Sequence, residues 1–154
     1  MLLPRGVTGF DSPVGGITVP TLREFRADCW HVATSLNAKV EHRDPVLPST
    51  SFVSQVLVGP NSSFVILLNN SLPIVGLCQP YEPGTVEFAF VDNEKIADLF
   101  SEFGKYEIWS KSVLDLPVTN EMCAELGPSE KRRMDYFRIP GRTRVGDVVY
   151  NHWD

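Results

Sequence analysis

Apolar positions along this chain recur at two periods. Leu22, Phe25, Cys29, Val32, Ala33 and Leu36 are three or four residues apart, which on a helix makes one stripe. Thr21 precedes Glu24 by three, a capping-box pattern. The spacing predicts a helix over about 21–37, followed by a loop, "EHRDPVLPSTS". The period then shortens. "SFVSQVLV" (51–58), "SFVILLN" (63–69), "PIVGLCQ" (73–79) and "TVEFAFVD" (85–92) are brief and rich in Val, Phe and Ile. "GPNS", "NSL" and "PYEPG" separate them with turn chemistry. Gaps this short suit antiparallel neighbours. The pattern predicts a four-stranded meander over about 51–92, with "FVILL" as a central strand covered on both faces.

Helical spacing returns in "DNEKIADLFSEFG", where Ile96, Leu99, Phe100 and Phe103 share a face. Asp92 is the expected cap and Gly104 the expected stop. "YEIWS" is a candidate fifth strand. "NEMCAELG" reads as a short helix capped by Asn120, and "SEKRRMDYFRI" as another opening at Ser129. In the tail, Val145, Val148, Val149 and Trp153 again fall at helical spacing, and Gly146 marks close packing against a neighbour. The first twenty residues, dense in Gly and Pro, predict an irregular arm with a short strand near Val7 to Phe10. The expected fold is a single α+β domain over 1–154, an antiparallel sheet of four to five strands packed with several helices.

Composition narrows the function more than the fold. The 154 residues are 43% hydrophobic and 21% charged, an ordinary globular balance. A net charge of −5 repels phosphate backbones and argues against nucleic acid as a partner. The longest apolar run, "FVILL", is too short to cross a bilayer, and the start lacks the apolar core of a signal peptide. The expectation is a cytoplasmic protein, off the membrane, with reduced thiols and no sugar on the sequons at Asn61 and Asn69. Three scattered cysteines, Cys29, Cys78 and Cys123, make neither a disulfide framework nor a zinc ribbon.

Candidate chemistry is sparse. Asp28 and His31, three apart, share a helix face, but zinc needs at least three ligands, so no metal and no cofactor is expected. Cys29 with His42 or His152 would make a thiol enzyme or small hydrolase. Against that, Cys29 sits on an apolar stripe, where cysteines behave as inert hydrophobes. No Gly-rich phosphate loop is present. "EKRRMDYFR" is a basic run with aromatics, read as a solvated helix face flanked by Glu130 and Asp135. The feature that stands out is Glu94, Asp98 and Glu102, a row of carboxylates at i, i+4 and i+8 without a basic residue at i+4 to neutralise them. Such a row suits a basic protein partner. Glu82 and Asp115, in loops, are the next candidates for the same role.

"YFRIPGRTRVGDVVYNHWD" (136–154) resembles the C-termini of small bacterial proteins in which a Tyr/Trp-x-x-Pro stretch leads into a Val/Ile-Gly-Asp/Glu-hydrophobic-hydrophobic-aromatic-Asn-x-Trp-Asp end. The matching residues are Tyr136, Pro140, Val145, Gly146, Asp147, Val148, Val149, Tyr150, Asn151, Trp153 and Asp154. The opening "LPRGVTGF" is similar to that group as well. These proteins are immunity proteins of polymorphic or contact-dependent toxin systems. The resemblance covers about a fifth of the chain. It implies a non-enzymatic cytoplasmic inhibitor that binds one cognate toxin domain. A scaffold or adaptor without inhibitory role is the remaining alternative. For the tail itself, the residues predict a structural lock that closes the core.

Overall fold

The computed structural model describes residues 1–41, 50–82, 84–85 and 87–152. It is an α+β fold around a five-stranded sheet in which neighbours follow chain order. The strands are β1 (Lys39–Glu41), β2 (Phe52–Val58), β3 (Ser63–Asn69), β4 (Ile74–Cys78) and β5 (Glu107–Ile108). β1 to β4 pair antiparallel, and β5 joins β4 in parallel. The helices are α1 (Leu22–Ser35), α2 (Glu94–Glu102), α3 (Lys111–Leu114), α4 (Pro128–Phe137) and α5 (Val145–Val149), with a 3-10 turn at Glu121–Cys123.

β3 is central, and its residues Val65 to Asn69 are all buried. The register aligns Val56, Val65 and Cys78 in one row and Gln55, Ile66 and Leu77 in the next. Alternate residues point to opposite faces of a strand, so the sheet divides the core in two. One face carries Leu57, Ile66, Leu68, Val75 and Leu77 against Phe25, Cys29 and Val32 of α1 and Ile96 and Phe100 of α2. The other carries Phe52, Val56, Val65, Leu67, Ile74 and Cys78 under the N-terminal arm, α3, α4 and α5.

The helices on the first face follow their sequence closely. The Thr21 hydroxyl accepts from the Glu24 amide at 3.1 Å, which caps α1. α1 closes with Asn37 in the left-handed region (φ 52°), its Ala38 amide donating back to the Ala33 carbonyl. α2 is capped by Asn93, whose Oδ1 accepts from the Ile96 amide at 3.0 Å, and not by Asp92. Asp92 instead accepts from the amide of Lys111, the first residue of α3, which Ser110 caps.

Several expectations need correction. The described residues of 85–92 form no strand. Phe88 and Phe90 are buried and Glu87 and Ala89 exposed, so the alternation is real. Its described residues pair with the sheet at the end of β4, through one bridge between Cys78 and Phe90 and backbone bonds from the Gln79 amide to Ala89 and from the Val91 amide to Leu77. The rest of that edge belongs to β5, which bonds at Pro73 and Val75. Two short segments therefore share one five-residue edge. Hence the sheet is mixed, and its meander ends at Cys78. β1 lies at the opposite edge, between the predicted helix and the start of the predicted loop, where no strand was expected. No strand forms at Val7 to Phe10, which is a turn. Asn120 caps nothing; its Oδ1 accepts from Arg138. α4 opens at Pro128 behind Gly127, one residue before Ser129.

Both chain ends are fastened by buried polar side chains. Asn69, fully buried at the end of β3, donates to the Val7 and Val149 carbonyls at 2.8 and 2.7 Å. Its Oδ1 accepts from the Ser71 and Leu72 amides. Glu130 of α4, equally buried, accepts from the amides of Gly6, Thr8 and Gly127 and from the Thr8 hydroxyl. In return, Asp11 of the arm accepts from the Glu130 amide at 3.0 Å. Gly127 has no side chain to cap the helix, and a Cβ there would lie 2.3 Å from the Asp11 carboxylate. Asp11 thus supplies the cap from 119 positions away.

The tail is built into the core. Val145, Val148, Val149 and Tyr150 are buried, and the Tyr150 hydroxyl donates to the Ile74 carbonyl at 3.2 Å. Tyr150 fits because Gly76 opposite has no Cβ, which would sit 2.8 Å from its hydroxyl. Gly146 packs directly on Phe90, where a Cβ would fall 2.2 Å from the ring. Trp153 lies outside the described residues.

Candidate protein-binding site

α2 is held by Ile96 and Phe100, both fully buried. Leu99 and Phe103 pack beside them, half-buried. That seating turns Glu94, Asp98 and Glu102 to solvent, and all three are exposed. At 1.5 Å rise per residue the row spans about 12 Å. None of the three forms an ion pair among the described residues, where the salt bridges involve other carboxylates. Beside the N-terminal end of α2 a cleft of about 230 Å³ opens against the β2–β3 hairpin. Leu36, Leu57 and Phe64 line it from below, and Asn93 and Lys95 contribute from α2's end.

The other candidate acids are placed differently. Glu82 is exposed in the segment after β4. Asp115 lies with α3 and α5, across the sheet from α2, and is engaged in structure. It pairs with Lys111 and, at 3.1 Å, with Arg144, which also binds Asp147 at 2.8 Å. Burial pushes the Asp115 carboxyl up, but hydrogen bonds and charge from Lys111 and Arg144 outweigh it and hold the pKa below the ordinary value. The fold therefore brings together Glu94, Asp98 and Glu102 and leaves Asp115 apart.

The residues considered for chemistry are also dispersed. Asp28 accepts from the Tyr106 hydroxyl at 2.6 Å and pairs with Lys105 at 2.7 Å, sealing α1 to the segment after α2. Burial first, and the Asp28 carboxylate second, push the Tyr106 phenol well above its ordinary range. His31 packs edge-on against Phe103 at 5.7 Å. Among the described residues no group of three potential metal ligands occurs. Cys29 is fully buried under α1, and burial, reinforced by Asp28, raises its thiol pKa. His152 is across the sheet, its ring 5.3 Å from Phe52. Cys29 and His152 thus occupy opposite faces. His42 lies outside the described residues. Cys78 is buried, and Cys123 has its thiol raised by burial against the opposing pull of Arg138.

Sequence reasoning gave the exposed aromatic residues no binding role. Tyr136 on α4 is 82% exposed and Trp30 on α1 is 62% exposed. The signal for Tyr136 was present in "EKRRMDYFR", where a tyrosine interrupts a basic run; Trp30 falls off its helix's apolar stripe.

No family model, curated protein or solved structure matches this chain. Among the described residues no helix is long and apolar enough to cross a membrane.

Proposed function

We propose that this protein is a non-enzymatic inhibitor of immunity type, which binds a cognate bacterial toxin domain in the cytoplasm and blocks it. The observation that carries the reading is the acidic row of α2. Three exposed carboxylates stand on a helix whose opposite side is locked into the core, and among the described residues none of them is ion-paired. The adjoining apolar cleft offers a place for one side chain of the partner, as interface anchors require. A toxin that acts on nucleic acid carries a basic surface over its substrate groove, and an acidic ridge fits such a surface. Exposed pairs contribute about 0–1 kcal/mol each; desolvated pairs at an interface contribute several times more. The resemblance of both chain ends to immunity proteins points the same way.

The test is co-expression with the toxin domain encoded by the directly neighbouring gene. The wild-type chain should restore growth. Reversing Glu94, Asp98 and Glu102 to lysine should slow association and flatten its dependence on ionic strength, with the melting temperature unchanged. Identical rates and salt slopes would move the interface away from α2. Absence of any protection or binding would refute the inhibitor reading.

A further inference from the structure

The outer side of α4 combines the residue types that dominate protein interfaces. Arg133 lies between two rings, its guanidinium carbon 4.6 Å from the Phe10 centroid and 5.0 Å from that of Phe137. Both distances are within cation–π range. Tyr136 packs edge-on against Phe137 at 4.9 Å yet remains 82% exposed. Arg132 falls four residues before Tyr136, on the same helix face, and is exposed. Ile139, two residues past the end of α4, is a further exposed apolar side chain. Arginine and tyrosine are, with tryptophan, the residues enriched at binding hot spots.

Two further features separate this ridge from ordinary helix surface. First, it is preorganised. Phe10 comes from the N-terminal arm and Arg133 from α4, and the arm and helix are locked by the buried Glu130 and by Asp11. Side chains already fixed lose less entropy on binding. Second, its charge is opposite to that of the molecule. Between 130 and 138 the chain carries Lys131, Arg132, Arg133 and Arg138 against Glu130 and Asp135, and Glu130 faces inward. Lys131, Arg132 and Arg133 make no ion pair among the described residues. The ridge also lies across the sheet from α2, in the layer of the arm and α4.

We propose that the Phe10–Arg133–Tyr136 ridge is a second protein-docking surface, for a partner that presents carboxylates beside an aromatic or apolar side chain. Carboxylates would meet Arg132 and Arg133, whose planar forks bind them in pairs. The partner's apolar group would cover Tyr136 and Ile139. An acidic protein fits better than a nucleic acid. The chain's net charge of −5 repels a phosphate backbone. Asp135, exposed on the same helix, adds to that repulsion.

The probe is a fluorescently labelled random copolymer of glutamate and tyrosine, titrated against the full chain by anisotropy. The wild type should bind it, more weakly as salt rises. Arg133→Ala and Tyr136→Ala should each weaken binding roughly tenfold, with thermal melting unchanged for Tyr136→Ala. Arg133→Lys, which retains charge without the planar fork, should fall between wild type and Arg133→Ala. The lysine reversal of Glu94, Asp98 and Glu102 should not weaken binding, which separates this surface from the α2 site. The proposal is overturned if the copolymer fails to bind or if neither alanine variant weakens it. It is also overturned if an oligothymidine strand binds more tightly at the same residues. Concentration-dependent self-association abolished by Arg133→Glu would assign the ridge to a second copy and likewise overturn it.

Discussion

On one side of the sheet, α1 and α2 lay apolar stripes on Leu57, Ile66, Leu68, Val75 and Leu77. On the other side, an irregular arm, short helices and the chain's tail cover Phe52, Val65, Leu67 and Ile74. The first layer satisfies its backbone within its own helices and needs only caps, Thr21 and Asn93. The second has little regular structure to do so, and buried backbone groups must still be paired. Side chains do it instead. Asn69 ties Val7 and Val149 to the β3–β4 turn, Glu130 ties Gly6 and Thr8, and Ser51 binds the Val149 carbonyl and the Asn151 amide. A periodic layer is held by surface burial, whereas an irregular layer also depends on a few polar side chains with many partners each. Both candidate surfaces stand on these layers, the acidic row on the first and the aromatic ridge on the second.

The largest break in this comparison comes from removing residues 145–154. The loss of Val145, Val148, Val149 and Tyr150 opens the second core layer, and Asn69 loses the Val149 carbonyl. The truncated chain should aggregate or lose cooperative melting. A truncated chain with the full-length melting temperature would show that the tail is not a lock.

Next come paired substitutions, one per layer. Phe100→Ala should cost about 3–5 kcal/mol through the cavity it leaves. Asn69→Ala should cost about 3 kcal/mol although it removes little apolar surface, because the Val7 carbonyl and the Ser71 and Leu72 amides lose this partner at about 1–3 kcal/mol apiece before relaxation, while the Val149 carbonyl keeps the Ser51 hydroxyl. Urea unfolding gives both values. Hydrogen exchange should show the difference: Asn69→Ala loosens both chain ends, Phe100→Ala the helices opposite. Equal protection patterns would erase the distinction between the layers.

Gly146→Ala tests the close approach alone. A methyl group must displace the Phe90 ring, and overpacking of this kind costs about 1–3 kcal/mol. The melting temperature should drop while the sequence pattern, still apolar and helical, is unchanged.

The smallest effect concerns acid. Asp115 has its folded pKa depressed below its ordinary value of 3.8, burial notwithstanding, by Lys111 and Arg144. Its stabilising share is therefore present above that value and is lost as pH falls through the folded value. Asp115→Asn should lower stability slightly at neutral pH and flatten the acid limb of the melting curve. An unchanged acid limb would mean that the α3–α5 network contributes nothing, as many exposed pairs do.

What the sequence determined by itself was whatever depends on neighbours a few residues apart. The stripes Phe25–Cys29–Val32 and Ile96–Phe100, the cap at Thr21, the central strand "FVILL" and the buried tail were all legible, because period and local hydrogen bonds are written in adjacent positions. The exposed row Glu94–Asp98–Glu102 was legible for the same reason, as the reverse of an apolar stripe. Tertiary structure decided the rest. "TVEFAFVD" alternates like a strand, yet β5 takes part of the edge it would need, and no local pattern records that competition. In the sequence Asn69 ends a strand, Glu130 flanks a solvated helix face and Asp11 falls in an irregular arm. Their partners lie between 62 and 124 positions away for Asn69 to Val7 and Glu130 to Gly6, so only the folded chain brings them together. The Phe10–Arg133 contact arises the same way: a ridge assembled from an arm and a helix exists only once buried polar bonds have joined them.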